Sequence, residues 1–413
     1  MKKHLLILAV ITCISVLTIN LNAQNTTTIS DSIYSKTLNE NRVFWIELPE
    51  NYNPDSGISY PVVYVLDGFS LKRTFETVYN NYWGHYLPHM ILVGVSNREH
   101  RTRDLTISKI ETRRGGAMDD ETGGADNFTK FIENELIPYV DNKYKTTPYR
   151  TLIGHSYAGL FTINTLIHHQ HLFSNYIAAD PSIEWDNQKI LKEAKIKLTT
   201  ESFKEKSLFV SLAAEQLHMQ DETVTIENLM EDTSEFSLFA RSIVDFSNLA
   251  EAQKQSELNF SWKVYPEDLH GTVPLPTMRD GLVFLFKWYQ FKHPHKYNNP
   301  KTSVKEIQAL LDNQEKIYLE HFGYTVPPMI EELLNAYGYM NLQMGYPEKS
   351  LLFFKKAIQY YPKSASNYDA MADYYEAQDD FTNALKYVSK AYEISKNEYY
   401  KERITTFKSK LKK

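Results

Sequence analysis

Short apolar runs alternate with helical patterns from residue 42 to residue 292 of this 413-residue chain. This alternation constrains the fold more than any single motif does. Short runs suit buried strands, and the spacing between them suits helices. The predicted strands are 42–48, 60–66, 90–96, 150–154, 175–180, 207–212 and 260–266, and the predicted helices include 127–144, the segment after Ser156 and 276–292. The pattern predicts an α/β fold, with a mostly parallel sheet covered by helices on both faces.

The first residues have the pattern of a secretory signal peptide. A basic start, MKKH, precedes the apolar run LLILAVITCISVLTI, and NLNAQ follows with a small residue that suits cleavage after Ala23. A membrane anchor is the alternative, but the run is short for a spanning helix. We expect residues 1–23 to be removed, residues 24–30 to form a flexible leader, and the mature chain to be periplasmic or extracellular.

Cys13 is the one cysteine of the chain, and it lies inside this apolar run. Lipidation of Cys13 is an alternative to plain cleavage, but Thr12 is a poor neighbour for it. A mature chain without a thiol excludes disulfides, a cysteine nucleophile and thiolate metal ligands. The net charge of −6 argues against nucleic-acid binding, because that function needs a basic surface.

The pattern changes near residues 293–301, which are polar and contain proline. We expect a linker there between a first domain at 24–295 and a second domain at 302–413. The second domain shows self-similarity at a period of 34 that resembles the tetratricopeptide repeat. The matched positions are Gly338, Gly345, Phe354, Ala357 and Pro362 in the first copy and Ala372, Asp379, Val388, Ala391 and Lys396 in the second.

A tetratricopeptide-like region predicts stacked helical hairpins that present a surface to a protein partner. Two copies are few for independent stability. We therefore expect helices at 302–320 and 397–411 to cap the stack, or the stack to pack against the first domain. An ordinary bundle of helical hairpins is the alternative.

The stretch TLIGHSYAGLF at 151–161 is one residue away from the G-x-S-x-G turn that presents a nucleophilic serine. Such a turn follows a buried strand and opens a helix, and the segments on either side of Ser156 satisfy both conditions. Small residues two positions before and after the serine allow close packing in the turn; here these are Gly154 and Ala158. The context predicts Ser156 as a nucleophile, and a serine in a plain glycine-containing loop is the alternative.

A nucleophilic serine needs a histidine base and an acid that orients it. In this fold class the chain order is serine, acid, histidine, each after a successive strand. His270 lies four residues after the last predicted strand, so we expect it to be the base. Glu215 is the predicted acid, with Asp221 and Glu222 as substitutes. A solvated loop glutamate is the alternative, because a serine–histidine pair alone can suffice.

An oxyanion hole needs two backbone N–H groups. We expect Tyr157, the residue after the nucleophile, to supply one of them. Gly68 or Phe69, in the loop after strand 60–66, would supply the other. A glycine at this position lets the backbone approach a substrate closely. A plain turn at Asp67-Gly68 is the alternative.

Six stretches that follow one another between about residue 30 and residue 292 carry a family resemblance. They are YPVVYVLDG, VGVSNREHRTRDLT, GGADNFTKFIENELIPYVDNKY, RTLIGHSYAGLF, DPSIEW and DLHGTVPLPTMRDGL. Together they resemble the "Putative esterase" group of α/β-hydrolases, which includes esterase D-type enzymes and the esterases of siderophore trilactones such as enterobactin and bacillibactin. The resemblance implies a serine carboxylic-ester hydrolase that needs no metal or cofactor, with Ser156 as nucleophile and His270 as base.

The resemblance also suggests that Arg103 lies near the pocket, where it could meet an acidic or catecholate substrate; Arg101 is a second candidate. We expect Phe69 and Trp185 to contact the substrate, although core packing is the alternative for Trp185. Glu184 stands where the group often has a second aromatic residue. This departure leaves a siderophore lactone, an acetylated or feruloylated polysaccharide and a short acyl ester all open.

Two other functions remain open from sequence. The chain could be a binding or scaffold protein that acts through its helical repeats and carries a degenerate hydrolase domain. It could also transfer an acyl group to a sugar or peptide hydroxyl with the same residues. The glycine-rich, acidic loop at 115–124 is expected to flank the pocket and move, with an ordinary exposed loop as the alternative.

Overall fold

An eight-stranded sheet forms the centre of the computed structural model, which describes residues 28–50, 52–82, 86–113, 116–215, 217 and 221–412. Its strands lie in the order β1-β2-β4-β3-β7-β8-β9-β10, and a separate short ribbon joins β5 to β6. The first two pairings are antiparallel and the others parallel. The strands are β1 Thr28–Ser35, β2 Glu40–Glu47, β3 Tyr60–Val65, β4 Ile91–Val95, β5 Thr112–Arg113, β6 Gly116–Ala117, β7 Thr146–His155, β8 Asn175–Ala179, β9 Ser207–Ala213 and β10 Asn259–Tyr265.

Helices connect the parallel strands and cover both faces of the sheet. They are α1 Gly68–Tyr82, α2 Arg101–Leu105, α3 Ala125–Phe131, α4 Ile137–Lys143, α5 Tyr157–His168, α6 Trp185–Thr200, α7 Leu238–Ala252 and α8 Pro274–Leu285. A π-helical turn at Ile132–Leu136 joins α3 to α4. The predicted α/β fold with a mostly parallel sheet is confirmed.

The alternation of side chains along β3 shows how the sheet divides the core. Val62 and Tyr64 lie in a cluster with Phe128 and Phe161 on one face. Val63 and Val65 lie on the opposite face, in a cluster with Phe75, Ile153 and Met278. Both faces of β3 are buried in this way, which explains why the predicted strand 60–66 is continuously apolar.

The first strand differs from the expectation of a flexible leader over 24–30. Residues 28–30 belong to β1, which pairs antiparallel with β2 from Thr28 opposite Glu47 to Ser35 opposite Glu40. An edge strand with alternating exposure carries polar residues, so its sequence lacks the apolar signal of a central strand. The predicted signal peptide, residues 1–23, lies outside the described residues.

The C-terminal region, as far as it is described, is helical throughout. Its helices are α9 Val304–Phe322, α10 Glu331–Gln343, α11 Pro347–Tyr360, α12 Ala365–Glu376, α13 Phe381–Ser395 and α14 Glu398–Lys410. The helices of the α12/α13 hairpin each begin 34 residues after their counterparts in the α10/α11 hairpin, and Tyr339 Oη donates to Asp373 Oδ2 across the same interval of 34. The tetratricopeptide assignment, and the protein partner that it implies, stay predictions.

Close helix packing explains the small residues of this region. A Cβ atom on Gly338 in α10 would lie 2.4 Å from the ring of Phe354 in α11. Ala372, the matching position in α12, is fully buried. Small side chains at these two positions therefore let the two helices of each hairpin approach.

Helix α9 packs directly on the sheet-bearing domain. The Phe322 ring lies 4.9 Å from the ring of Tyr149 in β7, and Tyr318 stacks on Tyr289 at 4.7 Å. Tyr297, within the expected linker 293–301, is 2% exposed. This segment therefore contributes a core residue as well as connecting the two regions. No helix within the described ranges has the length and apolar character to span a membrane.

Candidate active site

Ser156 occupies a sharp turn between β7 and α5. Its φ and ψ angles are 60° and −118°, which an L-residue rarely adopts. Its backbone N–H donates to the carbonyl of Ala179 at 3.0 Å, and its own carbonyl accepts from Leu160 at 2.9 Å and Ser182 at 3.1 Å. These bonds attach the turn to the end of β8 and to α5. The strained conformation is thus held by its surroundings, as is typical of a functional position.

The glycine pattern around Ser156 follows from contacts of the backbone. A Cβ atom on Gly154 would lie 2.1 Å from the carbonyl oxygen of Ala158, so no residue larger than glycine fits at position 154. A Cβ atom on Gly159 would lie 2.9 Å from Pro181. Ala158 is itself fully buried, and its methyl group is part of the core. The methyl group that separates this turn from G-x-S-x-G is therefore accommodated.

His270 lies beside this turn and is held by a carboxylate. Its Nδ1 is 2.6 Å from Oδ2 of Asp180, the residue that follows β8. The other oxygen of Asp180 accepts from the backbone N–H of Ala213 at 3.0 Å. The ring of His155, next to Ser156 in the chain, has its centroid 4.4 Å from that of His270. The histidine and the acid thus meet at the end of β8, beside the residue that precedes Ser156.

Asp180 replaces Glu215 as the acid that contacts the histidine. Glu215 follows β9, and its backbone N–H donates to Asp268 at 3.2 Å in the loop that leads to His270. The strand β8 lies directly beside β7, whereas β9 is one strand further away. The acid that contacts His270 in the structure is therefore Asp180, which follows the nearer strand, and not the predicted Glu215. Which acid acts in catalysis stays a prediction.

Asp180 is a buried acid whose charge depends on its partners. It is 0% exposed, and this burial raises the pKa of its carboxyl above the ordinary value, while the bond to His270 acts in the opposite direction. Its φ angle is 43°. A buried carboxylate is stable when it is paired and hydrogen-bonded, and His270 and the Ala213 amide provide both.

His155 is a second histidine of the site, and burial keeps it neutral. Burial, with the neighbouring His270 as a smaller cause, lowers the pKa of His155 to about 3. A neutral imidazole places no positive charge against His270. No sequence pattern indicates this contact, because it depends on how the loop after β10 folds back over the turn.

The loop after β3 brings Gly68 to the start of helix α1. The first N–H groups of a helix have no partner inside the helix, and those of Gly68 and Phe69 belong to this class, as does that of Tyr157 in α5. A Cβ atom on Gly68 would lie 2.4 Å from the backbone of Gly94 in β4, so this position requires glycine. Phe69 is 51% exposed, which leaves its ring accessible to a substrate.

Three residues with positive φ angles follow three neighbouring parallel strands. Asp67 after β3 has φ of 51°, Ser156 after β7 has 60°, and Asp180 after β8 has 43°. Each such residue costs of order 1–3 kcal/mol and persists where the surrounding structure fixes it. All three lie at the carboxyl ends of the parallel strands, which is where open α/β sheets bind their ligands.

The two arginines of helix α2 have different surroundings. Arg103 forms ion pairs with Glu40 and Asp104, both at 2.7 Å. Arg101 instead pairs with Asp67 at 2.8 Å and lies 5.3 Å from the centre of the Tyr157 ring. Arg101 is therefore the arginine at the serine turn, and a role of Arg103 in substrate binding stays a prediction. The side chain of Arg103 belongs to a largely buried ionic cluster.

Trp185 and Tyr157 form an aromatic wall that Arg113 covers. The two rings meet edge to face at 5.3 Å, and the Arg113 guanidinium lies 5.0 Å from the Tyr157 ring. Arg113 also pairs with Glu184, which is largely buried. Trp185 is 1% exposed and donates to the carbonyl of Ser108 at 3.2 Å. Trp185 therefore supports Tyr157 from within the core, which corrects its predicted contact with substrate.

The glycine-rich loop 115–124 includes β6 (Gly116–Ala117), which pairs with β5, the strand that carries Arg113. Gly123 in this loop has a φ of 84°, and Gly124 donates to the carbonyl of Arg103 at 2.8 Å. Gly124, the last residue of the loop, thus lies against α2. No group of three or more His, Cys, Asp or Glu side chains suited to a metal ion occurs among the described residues.

Comparisons with known proteins show what this chain is similar to. A family model described as "Putative esterase" matches residues 35–270, more than half of the chain. Ferri-bacillibactin esterase BesA of Bacillus subtilis is 30% identical over 208 residues, which are 47% of this chain and 72% of that protein. The siderophore enterobactin esterase of Emericella nidulans is 28% identical over 262 residues, 56% of this chain and 83% of that protein.

A solved structure extends the similarity to the three-dimensional fold. The crystal structure of an IroE-like serine hydrolase from Shewanella oneidensis matches with a TM-score of 0.65 and 26% sequence identity. The match covers 81% of this chain and 99% of that one. It therefore extends beyond the residues that the family model covers.

Proposed function

Since the chain belongs to the "Putative esterase" family and is a carboxylic-ester hydrolase, we propose that Ser156 is its nucleophile, His270 its general base and Asp180 the acid that orients the base. The observation that carries this proposal is the bond of His270 to Asp180 beside the strained turn of Ser156. A serine hydroxyl is a weak nucleophile unless a positioned base removes its proton.

The reaction proceeds in two halves. His270 accepts the proton of Ser156 through Nε2 while Oγ attacks the ester carbonyl, and the carbonyl oxygen becomes an oxyanion. The backbone N–H groups of Tyr157 and Gly68 donate to this oxyanion. The tetrahedral intermediate then expels the alcohol, which takes its proton from His270, and an acyl-enzyme remains.

Water completes the cycle by the same route. His270 accepts a proton from water as the water oxygen attacks the acyl carbonyl, and it returns the proton to Ser156 as the acid leaves. Asp180 stabilises the imidazolium that forms in each half and holds Nδ1 as the protonated nitrogen. The short contact of His270 with Asp180 supports this role.

We propose that the substrate is an ester of the siderophore type. The two relatives described above are named for ferri-bacillibactin and for siderophore enterobactin. The aromatic wall adds chemical support, because the guanidinium groups of Arg101 and Arg113 flank the Tyr157 ring at 5.3 and 5.0 Å. Guanidinium groups beside an aromatic ring suit a substrate with aromatic groups, and Asp67 and Glu184 balance the charges of Arg101 and Arg113.

The proposed location of the enzyme is the periplasm or the extracellular space. The basic and apolar pattern of residues 1–23 supports this proposal. Cell fractionation followed by N-terminal sequencing tests it. A mature chain that begins at Gln24 is expected, and a cytoplasmic chain that retains its first residues would contradict it.

The test of activity compares wild type with Ser156→Ala on p-nitrophenyl butyrate. The expected loss in kcat is at least about 10³-fold, because removal of the nucleophile disables the whole unit. Ser409→Ala, in an exposed position on α14, is the matched control and should keep the wild-type rate. Equal rates for wild type and Ser156→Ala would exclude the assignment.

A panel of esters tests the substrate class. Ferric and iron-free triscatecholate trilactones, a feruloylated oligosaccharide, an acetylated oligosaccharide and p-nitrophenyl butyrate should be compared by kcat/KM. The proposal predicts that a trilactone exceeds the other esters by at least tenfold. A carbohydrate ester as the best substrate would refute the siderophore assignment and leave the serine mechanism intact.

A further inference from the structure

Arg101 links the two backbone segments that would bind the oxyanion. We propose that Arg101 is a positioning residue, which fixes the N–H groups of Gly68 and Tyr157 relative to each other; this inference rests on the proposed function. The side chain reaches from α2 to the loop after β3 and to the end of β7.

The first contact holds the loop after β3. Arg101 Nε lies 3.0 and 2.9 Å from the two carboxylate oxygens of Asp67, and Nη2 lies 2.8 Å from Oδ2. Such a planar, multiply bonded pair fixes orientation as well as distance. Asp67 directly precedes Gly68, so its side chain controls where the next peptide N–H points.

The second contact holds the serine turn. Arg101 Nη2 donates to the carbonyl oxygen of His155 at 3.2 Å, and the guanidinium carbon lies 5.3 Å from the centre of the Tyr157 ring. These two residues are the immediate neighbours of Ser156. One guanidinium group thus contacts both sides of the nucleophile and the residue before Gly68.

The loop at Asp67 needs such a restraint. Its φ of 51° is strained for a residue with a side chain. The backbone N–H of Asp67 donates to Oδ1 of Asn97 at 3.3 Å, and Gly68 packs against Gly94. These contacts hold the loop from the side of β4. Arg101 holds it from the side of β7, where the reaction would occur.

Arginine is suited to this task and lysine is not. The task requires one side chain to bond a carboxylate and a carbonyl at once while it lies over an aromatic ring. The planar guanidinium has five donors in a fixed arrangement, whereas an ammonium group is a point charge. Lysine at this position could reach Asp67 or His155 but would not hold both in a fixed relative position.

The experiment compares Arg101→Met and Arg101→Lys with wild type on p-nitrophenyl butyrate, a neutral substrate. A displacement of the oxyanion donors by about 1 Å costs on the order of 10²-fold. We expect Arg101→Met to lower kcat by 10- to 100-fold with KM changed less than threefold, and Arg101→Lys to fall in between. Arg150→Met is the matched control.

The control removes an arginine–carboxylate pair from the middle of β7, the strand whose last residue, His155, accepts a hydrogen bond from Arg101. Arg150 Nη2 lies 2.6 Å from Asp141 Oδ2, and Arg150 belongs to β7, which ends at His155. Arg150→Met should therefore show the effect of losing an ion pair from β7 without disturbing the loop at Gly68. Its kcat should remain within twofold of wild type.

An oxyanion analogue separates positioning from general stability. Butyl trifluoromethyl ketone forms a hemiketal with a serine and places a negative oxygen in the oxyanion hole. Its inhibition constant should rise in Arg101→Met by the same factor as kcat falls, and circular dichroism should show both variants folded. Asp67→Asn should lose activity less than additively when combined with Arg101→Met, because the two act as a pair.

Each outcome decides one question. An Arg101→Met variant with wild-type kcat, or with an unchanged inhibition constant for the ketone, would overturn the positioning role. A rise in KM alone would also overturn it, because that result indicates direct substrate binding. These results leave the proposed function standing as long as Ser156→Ala is inactive. Activity in Ser156→Ala would instead refute the proposed function itself. If Arg101→Met does not fold, the Arg101→Lys and Asp67→Asn variants provide the same comparison.

Discussion

Nδ1 of His270 lies 2.6 Å from Oδ2 of Asp180, across 90 residues of chain. This contact joins the loop after β10 to the end of β8. It places a histidine and a buried acid beside the turn of Ser156. The adjacency of β7 and β8 in the sheet makes the contact possible.

Asp180→Asn should abolish most activity, whereas Glu215→Gln should not. The amide cannot stabilise the imidazolium of His270, so kcat should fall by about 10³- to 10⁴-fold, as in other serine hydrolases that lose this acid. Glu215→Gln should stay within twofold of wild type. Steady-state kinetics on p-nitrophenyl butyrate measure both, and the reverse order of effects would restore Glu215 as the acid.

The stability of Asp180→Asn distinguishes loss of chemistry from loss of fold. Because burial raises the pKa of Asp180, the folded state binds more protons than the unfolded state just above pH 3.8, and stability contributed by this group falls as the pH rises through that range. The Asp180→Asn variant carries a neutral amide and avoids the cost of burying a charge. Its Tm at pH 7 should therefore equal or exceed that of wild type, and a large drop in Tm would contradict this account of the acid.

The positions of Ser156 and His270 in the fold could be predicted from sequence because their signals are local. Ser156 stands between a strand and a helix that each show in a few residues, and His270 follows the last strand. Asp180 was missed because two strands, β8 and β9, each end near an acid. The choice between Asp180 and Glu215 depends on which strand lies beside β7, and strand order is a tertiary property. The signal available was the apolar run NYIAA, which ends in a single acid before Pro181.

Two other differences between the sequence predictions and the structure also arise from tertiary contacts. Arg101 and Arg103 are two positions apart on the short helix α2, and tertiary packing decides which of them meets the serine turn. The strand β1 was missed because its stability comes from backbone pairing with β2 at the sheet edge, and its residues are polar in alternation. The α/β fold itself was predictable, because continuous apolar strands between helices require a sheet buried on both faces.

Gly154→Ala should destabilise the protein strongly, and Ala158→Gly should do so weakly. The new Cβ atom would lie 2.1 Å from the carbonyl oxygen of Ala158, and backbone cannot move aside as a side chain can. The expected loss in the free energy of unfolding is about 3 kcal/mol. Ala158→Gly should cost about 1 kcal/mol through helix propensity and change kcat less than threefold. Urea unfolding and ester hydrolysis measure these effects. A kcat for Ala158→Gly that exceeds the wild-type value tenfold or more would show that the methyl group impairs the turn.

His155 should make the protein less stable in mild acid. Its folded pKa of about 3 lies below the ordinary value of 6.5, so the unfolded state binds a proton that the folded state does not between these two values. Stability should therefore fall as the pH drops below 6.5, by roughly 1.4 kcal/mol per pH unit from this group at the steepest.

His155→Gln isolates this effect. The variant should lose less stability than wild type between pH 6.5 and pH 5, by up to about 2 kcal/mol, in urea unfolding at each pH. His171→Gln is the control, because His171 is exposed on the surface. Its stability should follow the wild-type pH profile. Parallel profiles for wild type and His155→Gln would show that His155 is not a buried neutral group.

Glu184→Gln should raise the affinity for anionic esters. Glu184 compensates the charge of Arg113 over the Tyr157 ring, so its removal leaves a net positive charge at the aromatic wall. KM for p-nitrophenyl hemisuccinate should fall by about three- to tenfold at low salt, since a pair of charges near a protein surface is worth about 1 kcal/mol or more. KM for neutral p-nitrophenyl butyrate should stay within twofold. A matching change for both esters would indicate a rearranged pocket instead of a change in charge.

The most direct test of the central claim is the site of covalent labelling by a fluorophosphonate. The phosphorus is attacked by an activated serine, fluoride leaves, and the adduct can be located by mass spectrometry of tryptic peptides. The account predicts one adduct per chain, on Ser156, with labelling slowed by at least about 10³-fold in His270→Ala and abolished in Ser156→Ala. An active wild-type esterase that shows no adduct on Ser156, or an adduct on another serine, would contradict it.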